Sequence, residues 1–542
     1  MSNADNSAAT SSTSPVSSDD IKEAEQAKNG PTATQYISVA CRFLAGFFTN
    51  TSLCTAFIEQ GGLEWILDFA TLPCVPYNFL EIISYGDELA RLLQIFIEQK
   101  PYLTLPAILQ RLQDAVDQLR PLQEHNEDSP FFAPFYDESS KASLNDVKIT
   151  KGTDYAKALV VVQVLCHALS TTLQNQMFNH RASNNIFTQV NLADQWVRLF
   201  EGLGLLQRSC VWEEILLQKN MPKKWESSTR VKDSEGFGAD EADNIFNYEF
   251  QALRSTQEIG TTNGPSGPIR NGENFDEPTS PSDVQSNAFF MNTRILRYLL
   301  SHIPTSITPL FHSLGRMLLI KRGSDSYQKQ NAYNVAEQLA KCALGQIRWD
   351  LPKSHGFAKD RYAYWIIILQ STSNLMIDDA MDRQYPSTLT LILQHFKSLG
   401  GFSALSDVLD TFFDEVKSII ATHEDGEPRE GEVDGLMSLA LGGIKTILTF
   451  YSRVTNSKYI TEAPQTQAMH TRSERDRERA DYFVPAQFIV ELRMAVIQPV
   501  QKMWQSDVMD KATTSIVQSL IEILRVVLEG EAEQGAYRKS DK

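Results

Sequence analysis

The stretch Phe57-Ile58-Glu59-Gln60-Gly61-Gly62-Leu63-Glu64-Trp65-Ile66-Leu67 has an apolar period of three and four residues that stops at the two glycines and resumes after them. Glycine takes the positive φ of a helix C-terminal cap without a Cβ penalty, so this reads as helix, tight turn, helix. The pattern returns at Phe396-Lys397-Ser398-Leu399-Gly400-Gly401-Phe402-Ser403-Ala404-Leu405, which aligns with the first without a gap. A looser third copy covers 436–448, with Gly442-Gly443-Ile444 in its middle. A helix pair cannot bury its apolar face alone, so recurring pairs stack on one another. The expected fold class is all-α, an armadillo/HEAT-like helical solenoid with disordered insertions.

Working outward, Tyr36, Val39, Phe43, Leu44 and Phe47 recur at helical spacing and mark one face of a first helix. Further helices are expected at 87–98, 105–119, 154–173, 191–217, 331–344, 362–376, 485–504 and 513–528. The segment 292–320 is expected to split into two helices at Pro304 and Pro309. Composition shifts divide the chain. Residues 1–34 are read as a disordered N-terminal segment, 35–122 as armadillo-like helices and 123–150 as a polar linker with an aromatic island. Helices resume at 151–226, a disordered acidic insertion fills 227–286, and helices continue over 287–455. A charged linker at 456–480, C-terminal helices at 481–530 and a polar tail at 531–542 complete the division.

The 542 residues carry a net charge of −17, which repels nucleic-acid phosphate. Lys223-Lys224 and Lys321-Arg322 are short, isolated basic pairs and read as solvated surface, so no nucleic-acid partner is expected. None of the six cysteines forms a close pair with metal-ligand spacing, and most sit in apolar runs such as Val164-Leu165-Cys166. A reducing compartment, cytoplasmic and/or nuclear, is the natural expectation. The first thirty residues lack the basic start and apolar run of a secretory signal. No uninterrupted apolar run approaches the ~20 residues that span a bilayer, so no membrane partner is expected.

A reactive site needs several groups to converge. The nine histidines are scattered, and His302 and His312 read as structural. Gly202-Leu203-Gly204 lies inside a helical pattern, without the third glycine or the preceding strand of a phosphate-cradling loop. Asp378, Asp379 and Asp382 cluster near a helix end and read as solvated charge; a pocket joining Asp378, Asp382 and a histidine would point instead to a cation. No catalytic, cofactor-binding or metal-ligating residue is therefore expected, and no cofactor. The candidates for partner binding are Phe131, Phe132, Phe135 and Tyr136, an aromatic island in a polar segment. The competing reading is that they fold back onto the protein's own solenoid.

Several ordered motifs carry a family resemblance: Phe43-Leu44-Ala45-Gly46-Phe47-Phe48-Thr49-Asn50, Cys54, Phe57, Gly61-Gly62-Leu63 and Leu72-Pro73-Cys74-Val75-Pro76-Tyr77-Asn78-Phe79. Farther along stand Ser209-Cys210-Val211-Trp212-Glu213, the run from Arg297 through Pro304 and Pro309 to Arg316, and Val517-Gln518-Ser519-Leu520 with Glu522-Ile523-Leu524-Arg525. Together they resemble the N-terminal armadillo-like region of the giant HECT-type E3 ubiquitin-protein ligases, fungal Tom-type and animal Huwe-type. Asn78 stands where that family is expected to have aspartate. The resemblance implies a scaffold that recruits protein partners, substrates or the rest of the ligase, for ubiquitination. A HECT ligase forms a thioester through a cysteine near its C-terminus, whereas the last cysteine here is Cys342 in a core-like helix. The chain then reads either as a fragment lacking the HECT domain or as a free-standing scaffold. The alternative function is a stand-alone armadillo-like adaptor in nuclear transport or RNA export, by analogy of fold alone.

Overall fold

The computed structural model describes residues 33–69, 85–127, 129–136, 146–178, 193–222, 281–318, 326–351, 358–379, 386–422, 431–470 and 483–530, with 72, 77, 78, 80, 225 and 535. These form nineteen α-helices, one 3-10 turn at Asp507–Lys511 and a two-residue antiparallel ladder, β1 (Ile377–Asp378) with β2 (Ser387–Thr388), which pairs Ile377 with Thr388 and Asp378 with Ser387. The N-terminal half contains α1 (Ala33–Phe47), α2 (Thr51–Glu59), α3 (Gly62–Phe69), α4 (Tyr85–Gln99), α5 (Pro101–Gln118), α6 (Arg120–Glu124), α7 (Ala133–Tyr136), α8 (Asp146–Phe178) and α9 (Ala193–Asn220). The remainder contains α10 (Pro281–Met317), α11 (Ser326–Ile347), α12 (Ala358–Met376), α13 (Thr390–Ser398), α14 (Gly401–Thr422), α15 (Gly431–Thr455), α16 (Ser457–Thr461), α17 (Pro464–His470), α18 (Pro485–Trp504) and α19 (Thr514–Leu528).

The helices stack in two rows. In the first, α1, α4, α8, α10, α12, α15 and α19 each pack on the next. In the second, α3, α5, α9, α11, α13–α14 and α18 do the same, and the rows face each other through pairs such as α5 with α8, α9 with α10 and α14 with α15. One continuous apolar core runs between them. This is a solenoid, in which each layer is stabilised mainly by its neighbours.

Both Gly-Gly corners form as the sequence indicates. Gly61 has φ +83° and Gly400 φ +82°. The preceding turns close alike: Gln60 N–H donates to Ala56 O and Leu399 N–H to His395 O. The third copy does not turn. Helix α15 runs straight through Gly442-Gly443, and Gly443 lies so close to the Phe412 ring of α14 that a Cβ would overlap it. There the glycine serves close helix approach rather than chain reversal. Gly202 and Gly204 act similarly in α9, the first against Val116 of α5 and the second against Cys342 of α11.

Four further expectations are corrected. Helix α10 is single, not split; its Ser301, Thr305, Ser306 and Thr308 hydroxyls donate to carbonyls of Tyr298, His302, His302 and Pro304, around the positions where Pro304 and Pro309 remove N–H donors. It also begins at Pro281, inside the segment read as an insertion, as α8 begins at Asp146 inside the segment read as a linker. The first half of the charged linker is helical core, with Ile460, Ala463, Gln465, Thr466 and Met469 buried. Gln465 takes the Leu391 N–H, at the uncapped start of α13, at 3.0 Å, and donates to Gly315 O at 2.8 Å. On α1, Tyr36, Val39, Phe43 and Phe47 of the face marked in the sequence turn outward and Leu44 is half-buried, while Ile37, Cys41, Ala45 and Phe48 are buried. Both faces of that helix are apolar, so periodicity alone could not choose between them.

Two windows, Thr150–Gln174 in α8 and Val433–Thr455 in α15, are long and apolar enough on average to cross a membrane, although neither is an uninterrupted apolar run. They are 78% and 61% buried among other helices, as core helices of a two-row stack must be. The basic pairs Lys223-Lys224 and Lys321-Arg322, the disordered readings over 1–32 and 227–280, the charged linker over 471–480 and the polar tail over 531–534 and 536–542 lie outside the described residues.

Candidate functional site

The aromatic island is seated on the solenoid. Phe132 and Tyr136 are buried, while Phe131 and Phe135 are half-buried. Residues before it are held by α9: Arg208 Nη2 donates to Gln123 O at 2.8 Å. The island is then pinned by Glu213, also on α9, whose carboxylate oxygens accept the N–H groups of Phe131 at 2.9 Å and Phe132 at 3.3 Å. Phe131 packs against His125 and Tyr155, at ring distances of 5.4 and 5.5 Å. Phe135 lies over Gly152 of α8, where a Cβ would enter the ring, and its carbonyl accepts from Asn292 of α10 at 3.0 Å. The island thus closes the junction of α8, α9 and α10, with its aromatic faces turned mostly inward.

Burial pushes the Glu213 carboxyl up to about 7, with the two backbone donors and His125 acting in the opposite sense. Its folded-state pKa is raised, so the native chain holds this proton where an unfolded one has lost it. This group's contribution to stability therefore falls as pH rises from the ordinary carboxylate range to about 7, and is level above that.

The acidic cluster is answered by cations of the protein itself. Asp378, on β1, is buried and pairs with Arg316 Nε at 3.1 Å, with His312 Nε2 at 3.9 Å. Asp379 pairs with Arg453 at 3.1 Å. So Asp378 does meet a histidine, but a guanidinium occupies the place a cation would take, and no group of three or more metal-binding side chains exists among the described residues. Burial lowers the His312 pKa, against the pull of Asp378. Asp382 lies outside the described residues. His302 donates from Nδ1 to Tyr298 O at 2.8 Å and stacks on Tyr298, a structural role.

The thiols point the same way. Burial pushes Cys41 and Cys342 up to about 12, and Cys54, Cys166 and Cys210 also rise. Cys342 Sγ donates to Phe200 O at 3.2 Å. A thioester nucleophile needs thiolate character and access, and these thiols are held protonated.

The sequence reading missed two open polar clefts between second-row neighbours. One, of about 180 Å³, lies between α5 and α9 and is lined by Gln110, Gln113, Asp117, Gln195 and Arg198 over Leu109. The other, of about 510 Å³, lies between α14 and α18; Gln498, Gln501 and Gln505 line it with Lys417 and Lys502. Both lysine ammoniums also lie over the Phe413 ring, at 5.0 and 5.5 Å. The i, i+3, i+7 spacing of the α18 glutamines was visible in the sequence, but not the helix that completes the cleft.

Two comparisons bear on identity. The family described as Domain of Unknown Function (DUF913) matches residues 1–78. An E3 ubiquitin-protein ligase TOM1-like protein of Neurospora crassa is 27% identical over 520 residues, covering 94% of this chain and 12% of its own length. The chain therefore spans about an eighth of that relative.

Proposed function

We propose, from the premise that this chain corresponds to an N-terminal region of a giant HECT-type E3 ubiquitin ligase, that it is the ligase's non-catalytic recruiting scaffold. The observation that carries this reading is similarity to the TOM1-like ligase along 94% of the chain. The two-row solenoid supports it, because such stacks offer long surfaces for protein partners, and two polar clefts open along its second row. In this reading the second-row clefts and the rim around Phe131 and Phe135 meet protein partners: ubiquitination substrates and other parts of the ligase. Phe132 and Tyr136 hold that rim in place from beneath. Ubiquitin transfer belongs to a HECT domain elsewhere, and residence is cytoplasmic or nuclear, where such machinery works.

The test is a reconstituted ubiquitination reaction with activating and conjugating enzymes and a HECT domain from a TOM1-like ligase. Lysate proteins that co-purify with the chain serve as substrates. Adding the chain should raise labelling of those proteins at least several-fold without changing HECT autoubiquitination. Equal labelling with and without the chain would sink the recruiting role.

A further inference from the structure

Helix α1 is apolar on two opposite faces. Ile37, Cys41, Ala45 and Phe48 are buried on the side that packs against α4. On the other side Tyr36, Val39, Phe43 and Phe47 stand 62, 66, 68 and 47% exposed. Their spacing of three, four and four residues places them in one stripe. Phe43 and Phe47 stack at 6.2 Å, and Phe47 continues edge-on into buried Phe48 at 5.6 Å. The stripe is thus an outward extension of the core. Among the described residues, every first-row helix from α4 to α15 is packed on both sides by row neighbours, while α1 has one on its inner side alone. At the other end of the row α19 is built differently. Its outward positions mix Ile521 and Leu528 with Gln518 and Arg525, and Arg525 is engaged by Glu522 and Glu529.

We infer that the outer stripe of α1 is a self-association surface, closed by a second copy of this chain that lays its own α1 antiparallel across it. The stripe is self-complementary about a two-fold axis near its midpoint: Tyr36 of each copy meets Phe47 of the other, and Val39 meets Phe43. An isologous contact of this kind closes at two copies. Antiparallel placement also sets the two helix dipoles side by side in opposite directions, the attractive arrangement. Gly46 lies along the same side with open space around it, so the two backbones can approach there. Charge favours the same occupant. The chain carries −17 overall, but the one charged side chain of α1 is Arg42, already paired with Glu88 at 3.1 Å. The stripe itself therefore presents no acidic side chain of α1 to a second acidic copy. Three aromatic rings and a valine, with their rim, would bury on the order of 1,000 Å² in total, the lower bound for a specific interface. The dimer should accordingly be weak and reversible. The inference stands apart from the ligase reading and does not depend on it.

Sedimentation of the full chain from about 1 to about 100 μM tests it, a range chosen for a weak complex. The average mass should climb toward twice the monomer value. Val39→Ser/Phe43→Ser should weaken association at least tenfold, and Val39→Glu/Phe43→Glu should abolish it, both with an unchanged helical circular dichroism spectrum. Ile521→Glu/Leu528→Glu, at the opposite end, should associate like the parent. A parent chain monomeric at every concentration overturns the inference. Association that persists in the Glu variant, or is lost equally at the α19 end, overturns it too.

Discussion

At Gly61-Gly62 and at Gly400-Gly401 the chain reverses with nearly the same backbone, φ +83° and +82°. In each, the second glycine lies under a phenylalanine five residues upstream, Phe57 or Phe396, with no room for a Cβ. The surroundings differ. Phe396 is fully buried and Phe57 is half-buried. The second corner is clamped by Arg348, whose Nη2 donates to Gly400 O at 3.1 Å, whereas nothing lies within 4 Å of a Cβ at Gly61. Beyond the corners, α14 runs for 22 residues between neighbours, while α3 lasts eight and leaves Trp65 75% exposed. Local sequence writes the turn, and tertiary context sets what its loss costs.

That contrast can be broken by substitution, with thermal or urea unfolding as the readout. Gly401→Ala should be most damaging, about 2–3 kcal/mol, because the Phe396 ring has no space to retreat into. Gly443→Ala should cost about 2 kcal/mol through the equally buried Phe412. Gly62→Ala should cost only about 1 kcal/mol, since the Phe57 ring can swing toward solvent. Equal losses at positions 62 and 401 would mean that burial of the ring does not govern the cost. Gly61→Ala tests the backbone alone and should lose about 1–2 kcal/mol for forcing an alanine to positive φ; Gly400→Ala should lose somewhat more, because its Cβ would also sit 3.0 Å from Arg348 Nη2 and disturb that clamp. Arg348→Ala should be smallest, about 0.5 kcal/mol for an exposed charged donor, and should narrow the remaining gap between the corners.

These same residues show how much the sequence could say. The corners were legible because everything that makes them lies within about ten residues. Gly442-Gly443 was misread because its role depends on Phe412 in another helix, and a glycine placed for close approach looks like one placed for a turn. The helical 457–470 segment was hidden for a similar reason: Gln465 finds its partners 74 and 150 residues away. Within the candidate site, the aromatic island stood out as apolar residues in a polar run. Its seat did not, because Glu213 is 82 residues from Phe131. Asp378 was recognisable as part of an acidic cluster, but Arg316, which neutralises it, is contributed by α10. The outward stripe of α1 was visible as a face, but not the side it would take, since its opposite face is equally apolar.

The central claim is the proposal that this chain recruits partners and does not itself carry ubiquitin. The most direct measurement mixes the purified chain with a ubiquitin-charged conjugating enzyme and looks, on a non-reducing gel, for ubiquitin joined to the chain through a thiol-sensitive bond. The account predicts no such adduct at neutral pH, because burial holds the described thiols protonated. An adduct that forms at the rate of conjugating-enzyme discharge, disappears on reduction and is lost in Cys342→Ala would contradict it.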